Sequence, residues 1–388
     1  MKKFALMLFA AFMAVGFTAC SDDDNKGEAT ETVSGFYTLN GGNKSGKIPA
    51  SITAYNYSTG VATKPLEDAF YAANNVELGD GAQQAFVYDD EMYIVMYTSN
   101  LIWVVEPTTL KIITSIKPEG DAVSPRYIAE KNGKLYCTMY TGYVSEIDPA
   151  THKIARSVKV GPNPDQLAVM GNSLVVACSD GQNSKGTATS GVKYGNSCIS
   201  IVNLNTFTES KLEGLDKVLN AEQVASLNPT DAASNGTTAF VVCKCDYNNP
   251  NTPNTVVKIS GNKVEKVCSG TLIAVNGNNL YVINAQYGKP LSDITYKVYD
   301  VNTLQEKGQI ANQNSVAEAK ISYPNCVAVD PVSGDIVMLS YVLNEKNSPL
   351  YREPSYANIY DAAGNFKKRI ECGVGARAVT FIHEKIAK

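Results

Sequence analysis

One pattern returns along this chain with constant internal spacing, and it constrains the fold more than any other feature. AQQAFVYDDEMYI from Ala82, PRYIAEKNGKLYC from Pro125, PDQLAVMGNSLVV from Pro164 and GTLIAVNGNNLYV from Gly270 align position for position. PTDAASNGTTAFVV from Pro229 and PNCVAVDPVSGDIVML from Pro324 align with short insertions, and ARAVTFI from Ala376 is a truncated seventh copy. Each copy reads as an apolar strand, a turn of Asn, Gly or Asp, and a second apolar strand, the pattern of a β-hairpin.

A second pattern lies between the hairpins: an apolar strand that ends in a polar residue and a turn. It occurs as AYNYSTG at Asn56, VVEPTTL at Glu106, EIDPATH at Asp148, IVNLNTF at Asn203, KISGNKV at Ser260, VYDVNTL at Asp300 and IYDAAGN at Asp361. Side chains of this kind cap the backbone of a tight turn, which suits the hairpin joining a third and a fourth strand. Both patterns count seven. Four strands per unit at a spacing of roughly 40 residues predict an all-β, seven-bladed β-propeller over residues 35–388. The C-terminal ARAVTFI supplies a lone inner strand, and GFYTLN, SITAYN and ATKPLE supply three more near the N-terminus. Together they would form one closing blade that leaves no open edge to the array.

In a propeller the first strand of each blade lines the central channel. Entries into these strands and the second-to-third connections meet on one face, where binding residues are to be sought. The residues after each Pro equivalent are Gln83, Arg126, Asp165, Thr230, Thr271, Asn325 and Arg377, with Gln84, Tyr127, Gln166 and Asp231 beside them. Four second-to-third connections are long: 41–50, 179–197, 244–254 and 340–357. A purely structural hairpin has no reason to grow in this way. Tyr194, Tyr247 and Tyr351 lie in these loops, and the shorter connections carry Tyr97 and Asn100, Tyr140 and Tyr143, and Gln286 and Tyr287. Tyr, Asn, Ser and Gly offer amphipathic contact area and adaptable hydrogen bonds, which suits a neutral, polar, bulky ligand. Read singly, each tyrosine is equally a residue of a hydrophilic loop.

The chemistry of a hydrolase is missing from the sequence. The two histidines are His152, in a turn expected on the opposite face, and His383 near the C-terminus. No nucleophile elbow, Walker loop, zincin helix or dinucleotide fingerprint occurs. Cys137 occupies the strand column of Ile94, Val176, Val241 and Val282, and Cys178 and Cys243 occupy that of Met96 and Met139, so these cysteines replace interior residues. Cys243 and Cys245 form a C-x-C, but no second pair at zinc-like spacing accompanies it. No catalytic residue, metal site or catalytic cofactor is expected.

The first nineteen residues, with Lys2 and Lys3 ahead of an apolar run and small residues at its end, have the layout of a secretory signal. FTAC, ending at Cys20, resembles a bacterial lipobox, whose cysteine is lipidated; cleavage that leaves an ordinary cysteine is the alternative. The acidic run Ser21–Asp24 resembles the signal that sends Bacteroidetes lipoproteins to the outer face of the outer membrane. A lipid-anchored chain needs no spanning helix, and residues 20–34 read as the lipidated cysteine followed by a flexible tether. Without Lys2 and Lys3 the formal charge moves from −4 to −6, which makes nucleic acid an unsuitable partner.

Lipobox, acidic run, FYTLNGGNKSGKIPASITAYNYSTG, AQQAFVYDDEMYIV, SPRYIAEKNGKLYCTMY and VGPNPDQLAVMGNSLVVA together resemble the YncE-like propellers of Bacteroidetes surface lipoproteins, and within them the BtuG type of cobalamin-binding protein. The resemblance implies capture of cobalamin (vitamin B12) or a related corrinoid and its transfer to a TonB-dependent outer-membrane transporter of the BtuB kind. It transfers no contact residues. The long 179–197 insertion and the many cysteines depart from the family's appearance. A corrinoid's rim of amides needs neutral donors and acceptors, and its flat ring can lie against tyrosines. The expected contacts are therefore the rim set and the loop residues, with Arg126 and Arg377 meeting a phosphate or propionamide-derived group. Two other classes stay open. One is a propeller that binds a glycan or protein partner; the single Trp103, placed in a strand, speaks mildly against glycans. The other is a lactonase- or quinoprotein-type enzyme, which would need more clustered acidic ligands than Asp165 and Asp231.

Overall fold

The computed structural model describes residues 30–183, 185, 194–246, 248–286, 289–310, 319 and 321–386. The hairpin copies fold as sequence periodicity requires, into seven separate four-stranded antiparallel sheets. Blade 1 contains β1 (Thr30–Asn40), β2 (Ser51–Asn56) and β3 (Val61–Ala62). Blade 2 follows with β4 (Ala82–Tyr88), β5 (Glu91–Met96), β6 (Leu101–Val105) and β7 (Ile112–Ile116). In blade 3 lie β8 (Pro125–Lys131), β9 (Lys134–Met139), β10 (Tyr143–Asp148) and β11 (Lys153–Lys159). Blade 4 has β12 (Pro164–Met170), β13 (Ser173–Cys178), β14 (Cys198–Asn203) and β15 (Thr208–Lys211). Next come β16 (Asn228–Ser234), β17 (Ala239–Lys244), β18 (Thr255–Ser260) and β19 (Lys263–Ser269) in blade 5. Blade 6 is β20 (Leu272–Asn276), β21 (Asn279–Asn284), β22 (Thr295–Asp300) and β23 (Glu306–Gln309). Blade 7 is β24 (Pro324–Val329), β25 (Ile336–Ser340), β26 (Pro354–Tyr360) and β27 (Phe366–Val374). Finally β28 (Ala376–Ile386) returns to pair with β1, so the innermost strand of blade 1 comes from the other end of the chain.

The first strands β4, β8, β12, β16, β20, β24 and β28 each touch the next around a closed ring, β28 meeting β4. The interior is divided in the same way. Seven apolar clusters each join two adjacent blades, from Phe70, Ile94 and Met96 with Tyr37 and Ile52 between blades 1 and 2 to Val337 and Ile359 with Phe36 between blades 7 and 1. A second strand therefore buries both of its faces, which is why it reads as a continuous apolar run such as LVVAC rather than as an alternation. Cys137 packs in the cluster between blades 2 and 3, and Cys178 in that between blades 3 and 4.

The turns explain the sequence patterns. Asn132 and Gly133, between β8 and β9, both take positive φ (54° and 74°), as a two-residue turn matched to strand twist demands. In six of the seven third-to-fourth turns the marked side chain, of Asn56, Glu106, Asp148, Asn203, Asp300 or Asp361, accepts from a backbone N–H shortly downstream. Ser260 is the exception and faces Thr238 Oγ1 at 3.3 Å.

Three expectations need correction. ATKPLE is not a strand: β3 stops at Ala62, and the chain continues into helix α1 (Ala69–Asn74), whose Phe70 is buried between blades 1 and 2. Asp68 caps that helix, and its Oδ1 accepts from Phe70 N and Ile52 N, so it drives the departure from the sheet. At the other end of blade 1, β1 begins at Thr30, inside the 20–34 segment read as tether. Pro354–Tyr360 is strand β26, so the last long connection is shorter than 340–357. A second short helix, α2 (Ala221–Ala225), opens on an Asn220–Gln223 capping box between β15 and β16. Among the described residues no helix is long and apolar enough to cross a membrane.

Candidate functional site

The rim is built from backbone irregularity. Where an inner strand enters the sheet, its pairing skips: Pro125 opposes Met139, but Ile128 opposes Cys137, leaving Arg126 and Tyr127 against one residue of β9. Asp165 and Gln166 in β12, and Thr230 and Asp231 in β16, sit in the same irregularity. Gln83, Asn325 and Arg377 are single extra residues at the same place in β4, β24 and β28. Six of the seven blades thus carry a β-bulge at the residue that follows the Pro equivalent, and only β20 enters in regular register. A bulge re-aims side chains, and here it presents the polar positions singled out by sequence.

What those side chains do differs from one sector of the ring to another. Across blades 2 to 4 they are occupied by one another. Arg126 Nη2 donates to Asp165 Oδ1 at 2.7 Å, both side chains being 16% exposed, and the guanidinium lies 5.0 Å from the Tyr97 ring centre, 4.9 Å from Tyr140 and 5.8 Å from Tyr127. Tyr97 and Tyr140 meet edge to face at 5.2 Å. Burial works against the Arg126 charge, but Asp165 together with the Tyr127 and Tyr140 hydroxyls more than offsets it and holds the guanidinium above its ordinary pKa. Burial pushes the Asp165 carboxyl up despite Arg126, and pushes the Tyr127 hydroxyl to about 12. Arg126 is therefore a cation enclosed by three rings and an acid, not the open anion contact expected from its position.

The amides act as ties between blades. Gln84 Oε1 accepts from Ile128 N at 2.6 Å, and Gln166 Oε1 accepts from Ala232 N at 3.0 Å while its amide donates to Asp231. The same interblade reach occurs two blades apart because the two Gln occupy the same position in their hairpin copies. Asn100 accepts from Ser124 N and donates to Pro118 O, fastening the entry into β8. Gln83 is 2% exposed and donates to Gly81 O. Thr230 donates to Asp231, which also pairs with Lys244 at 3.4 Å; Lys244, expected at the head of the 244–254 loop, is the last residue of β17. Tyr143 opens β10 and packs in the cluster between blades 2 and 3 rather than lining the face.

The sector of blades 7 and 1 is more open. Arg377 is exposed, and its Nη1 donates a long hydrogen bond to Ala82 O at 3.4 Å. Asn325 donates to Ala376 O, beside Arg377, and its buried Oδ1 has no partner among the described residues. Tyr323, just ahead of β24, lies 6.2 Å from Tyr341, which meets Tyr351 edge to face at 5.0 Å; Tyr351 is 48% exposed. Asn43 donates to Tyr351 O, and Arg352 donates to Ser45 Oγ, so the 41–50 loop braces this ladder. Tyr323 and Tyr341 were missed as individuals, although Tyr341 falls inside a loop marked by its length. Tyr194 is half-buried on the limb that returns to β14. Tyr247 and Tyr287, like Cys20, lie outside the described residues.

Both histidines are paired away from this face. His152 Nε2 is 2.9 Å from Glu91, at the hairpin end of β5, and His383 Nε2 is 3.2 Å from the buried Asp330. Among the described residues no group of three or more His, Cys, Asp or Glu is placed to hold a metal ion.

No protein-family model matches the chain, and no curated protein matches it. Among solved structures it is similar to the hydrazine synthase of Kuenenia stuttgartiensis, with 13% identity and a TM-score of 0.47 over 77% of this chain and 92% of that one. It is also similar to the computationally designed Ika8 protein, with 12% identity and a TM-score of 0.48 over 79% of this chain and 93% of that one.

Proposed function

We propose that this protein is a non-catalytic binding protein of the bacterial surface, anchored in the outer membrane through lipid on Cys20 and facing the exterior, that captures cobalamin or a related corrinoid. It would pass the ligand to a TonB-dependent outer-membrane transporter, as the resemblance to BtuG-type propellers implies. The observation that carries the binding role is the open sector of blades 7 and 1. There an exposed guanidinium (Arg377) and a braced tyrosine ladder (Tyr323, Tyr341, Tyr351) stand on the face where the loops meet. A large ligand with a flat apolar ring and a rim of amides matches that combination, the ring against tyrosine and the rim against neutral donors and acceptors.

Equilibrium binding of cyanocobalamin to a soluble form beginning at Ser21 tests the reading and keeps β1 intact. Saturable binding in the micromolar range or tighter is expected. No binding at high micromolar concentration would overturn the corrinoid assignment and leave the propeller untouched. The tyrosine ladder also favours a second reading, stacking on a sugar ring of a surface glycan, and a glycan array separates the two.

A further inference from the structure

We propose that Cys178 and Cys198 are the two halves of a cross-strand disulfide that clamps the root of the 179–197 loop on the binding face. Cys178 is the last residue of β13, Cys198 is the first of β14, and the two stand directly opposite each other in the antiparallel pairing. Directly opposed residues in such a pair have Cα atoms about 4.5 or 5.5 Å apart, and both spacings fall within the roughly 4.4–6.8 Å that a disulfide spans. Both thiols already gather on one hydroxyl: each sulfur lies 3.7 Å from Ser200 Oγ. Gly161 closes over them, and a Cβ there would lie 2.4 Å from Cys198 Sγ and 3.0 Å from Cys178 Sγ. Glycine at this position leaves the space that the sulfurs occupy. Among the described residues, no other two cysteines oppose each other across a strand pair.

The two sulfurs are not equivalent. Contact with Cys178 holds the Cys198 thiol down, whereas burial pushes the Cys178 thiol up. Cys198 is therefore the attacking thiolate. With a low-molecular-weight disulfide as oxidant, Cys198 Sγ attacks one of its sulfurs, forming a mixed disulfide and expelling one thiolate. Cys178, giving up its proton, then attacks Cys198 Sγ and expels the second. Two protein thiols are oxidised, one external disulfide is reduced to two thiols, and the two protons end on those thiols. The resulting bond continues a tie that the loop already has one step above it, where the fully buried Asp180 accepts from Asn183 Nδ2 on one limb and from Asn196 N on the other.

The test is peptide mapping of the folded full chain after incubation with oxidised glutathione, followed by denaturation in alkylating reagent and digestion with trypsin. Cleavage at Lys159, Lys185, Lys193 and Lys211 puts Cys178 and Cys198 on separate peptides with no other cysteine on either. The expected result is peptides 160–185 and 194–211 recovered as one linked species, two hydrogen masses lighter than their sum and split by reductant, with Cys137, Cys243 and Cys372 alkylated. Recovery of both peptides in alkylated form, a stable glutathione adduct on Cys198, or linkage of either cysteine to another partner would overturn the proposal.

Discussion

Asp165 and Arg126 show how much a single polar position can differ in meaning between sequence and structure. Thirty-nine positions apart in the chain, they face each other because β8 and β12 are neighbours in the ring. Replacing Asp165 by Ala leaves the guanidinium among three rings without its acid, and a loss of about 3 kcal/mol in urea denaturation is expected. An Arg126→Met, Asp165→Leu double variant should lose less than the sum of the two single changes, because it removes both charges. Arg377 makes the opposite prediction. It is exposed and held by one long hydrogen bond, so Arg377→Ala should leave stability within about 0.5 kcal/mol while weakening ligand binding measured by titration. That the residues after each Pro equivalent form a set was legible from repeat alignment alone. Which of them are enclosed and which stay open was not, since it depends on the side chains that neighbouring blades bring.

At the scale of elements, the polar position at the strand entries and the polar cap, present at six of the seven third-to-fourth turns, were both visible as sequence columns, because both are set by residues close in the chain, whereas the bulge that six entries carry was not. The helix after β3 was not visible, because a hydrogen bond from a different strand helps to define it. Asp68 accepts from Phe70 N in its own helix and from Ile52 N in β2, in partial burial. Burial raises its carboxyl from the usual 3.8 to about 6 against those hydrogen bonds. The folded state thus holds this proton more tightly than the unfolded chain, so its contribution to stability is fully present below about pH 4 and is lost as the pH rises to about 6. Asp68→Asn keeps an acceptor and removes the titration. It should stabilise the fold by roughly 3 kcal/mol at pH 7, with little gain at pH 4, as read from urea midpoints at both pH values.

Ring closure governs the whole molecule. β28 pairs with β1 from Thr30 opposite Ile386 to Asn40 opposite Ala376, so the two ends of the chain are hydrogen-bonded along a full blade. The last strand also supplies contacts to blades 7 and 2, through Ala376, through Thr380 donating to Ala85 O, and through His383 beside Asp330. A chain that stops at Gly375 would expose the edge of β1 and open two of the seven interblade clusters. It should lose cooperative unfolding in calorimetry and form oligomers in size-exclusion chromatography. The same strand added back as a separate peptide of residues 376–388 should restore part of the folded signal.

Repetition in the sequence determined the number of blades, the order of strands within them and the polar position at the entry to each inner strand. Each of those follows from spacing within one copy, and spacing is a property of the chain. Only the tertiary structure decided what becomes of the polar residues: Gln84 and Gln166 as ties to the next blade, Arg126 enclosed by Tyr97, Tyr127, Tyr140 and Asp165, Arg377 left open beside Asn325, and Cys178 set against Cys198 under Gly161. The physical reason is that hydrogen bonding, charge and exposure are relations between side chains. In a ring most of those relations cross from one blade to another, where distance along the chain carries no information about distance in space.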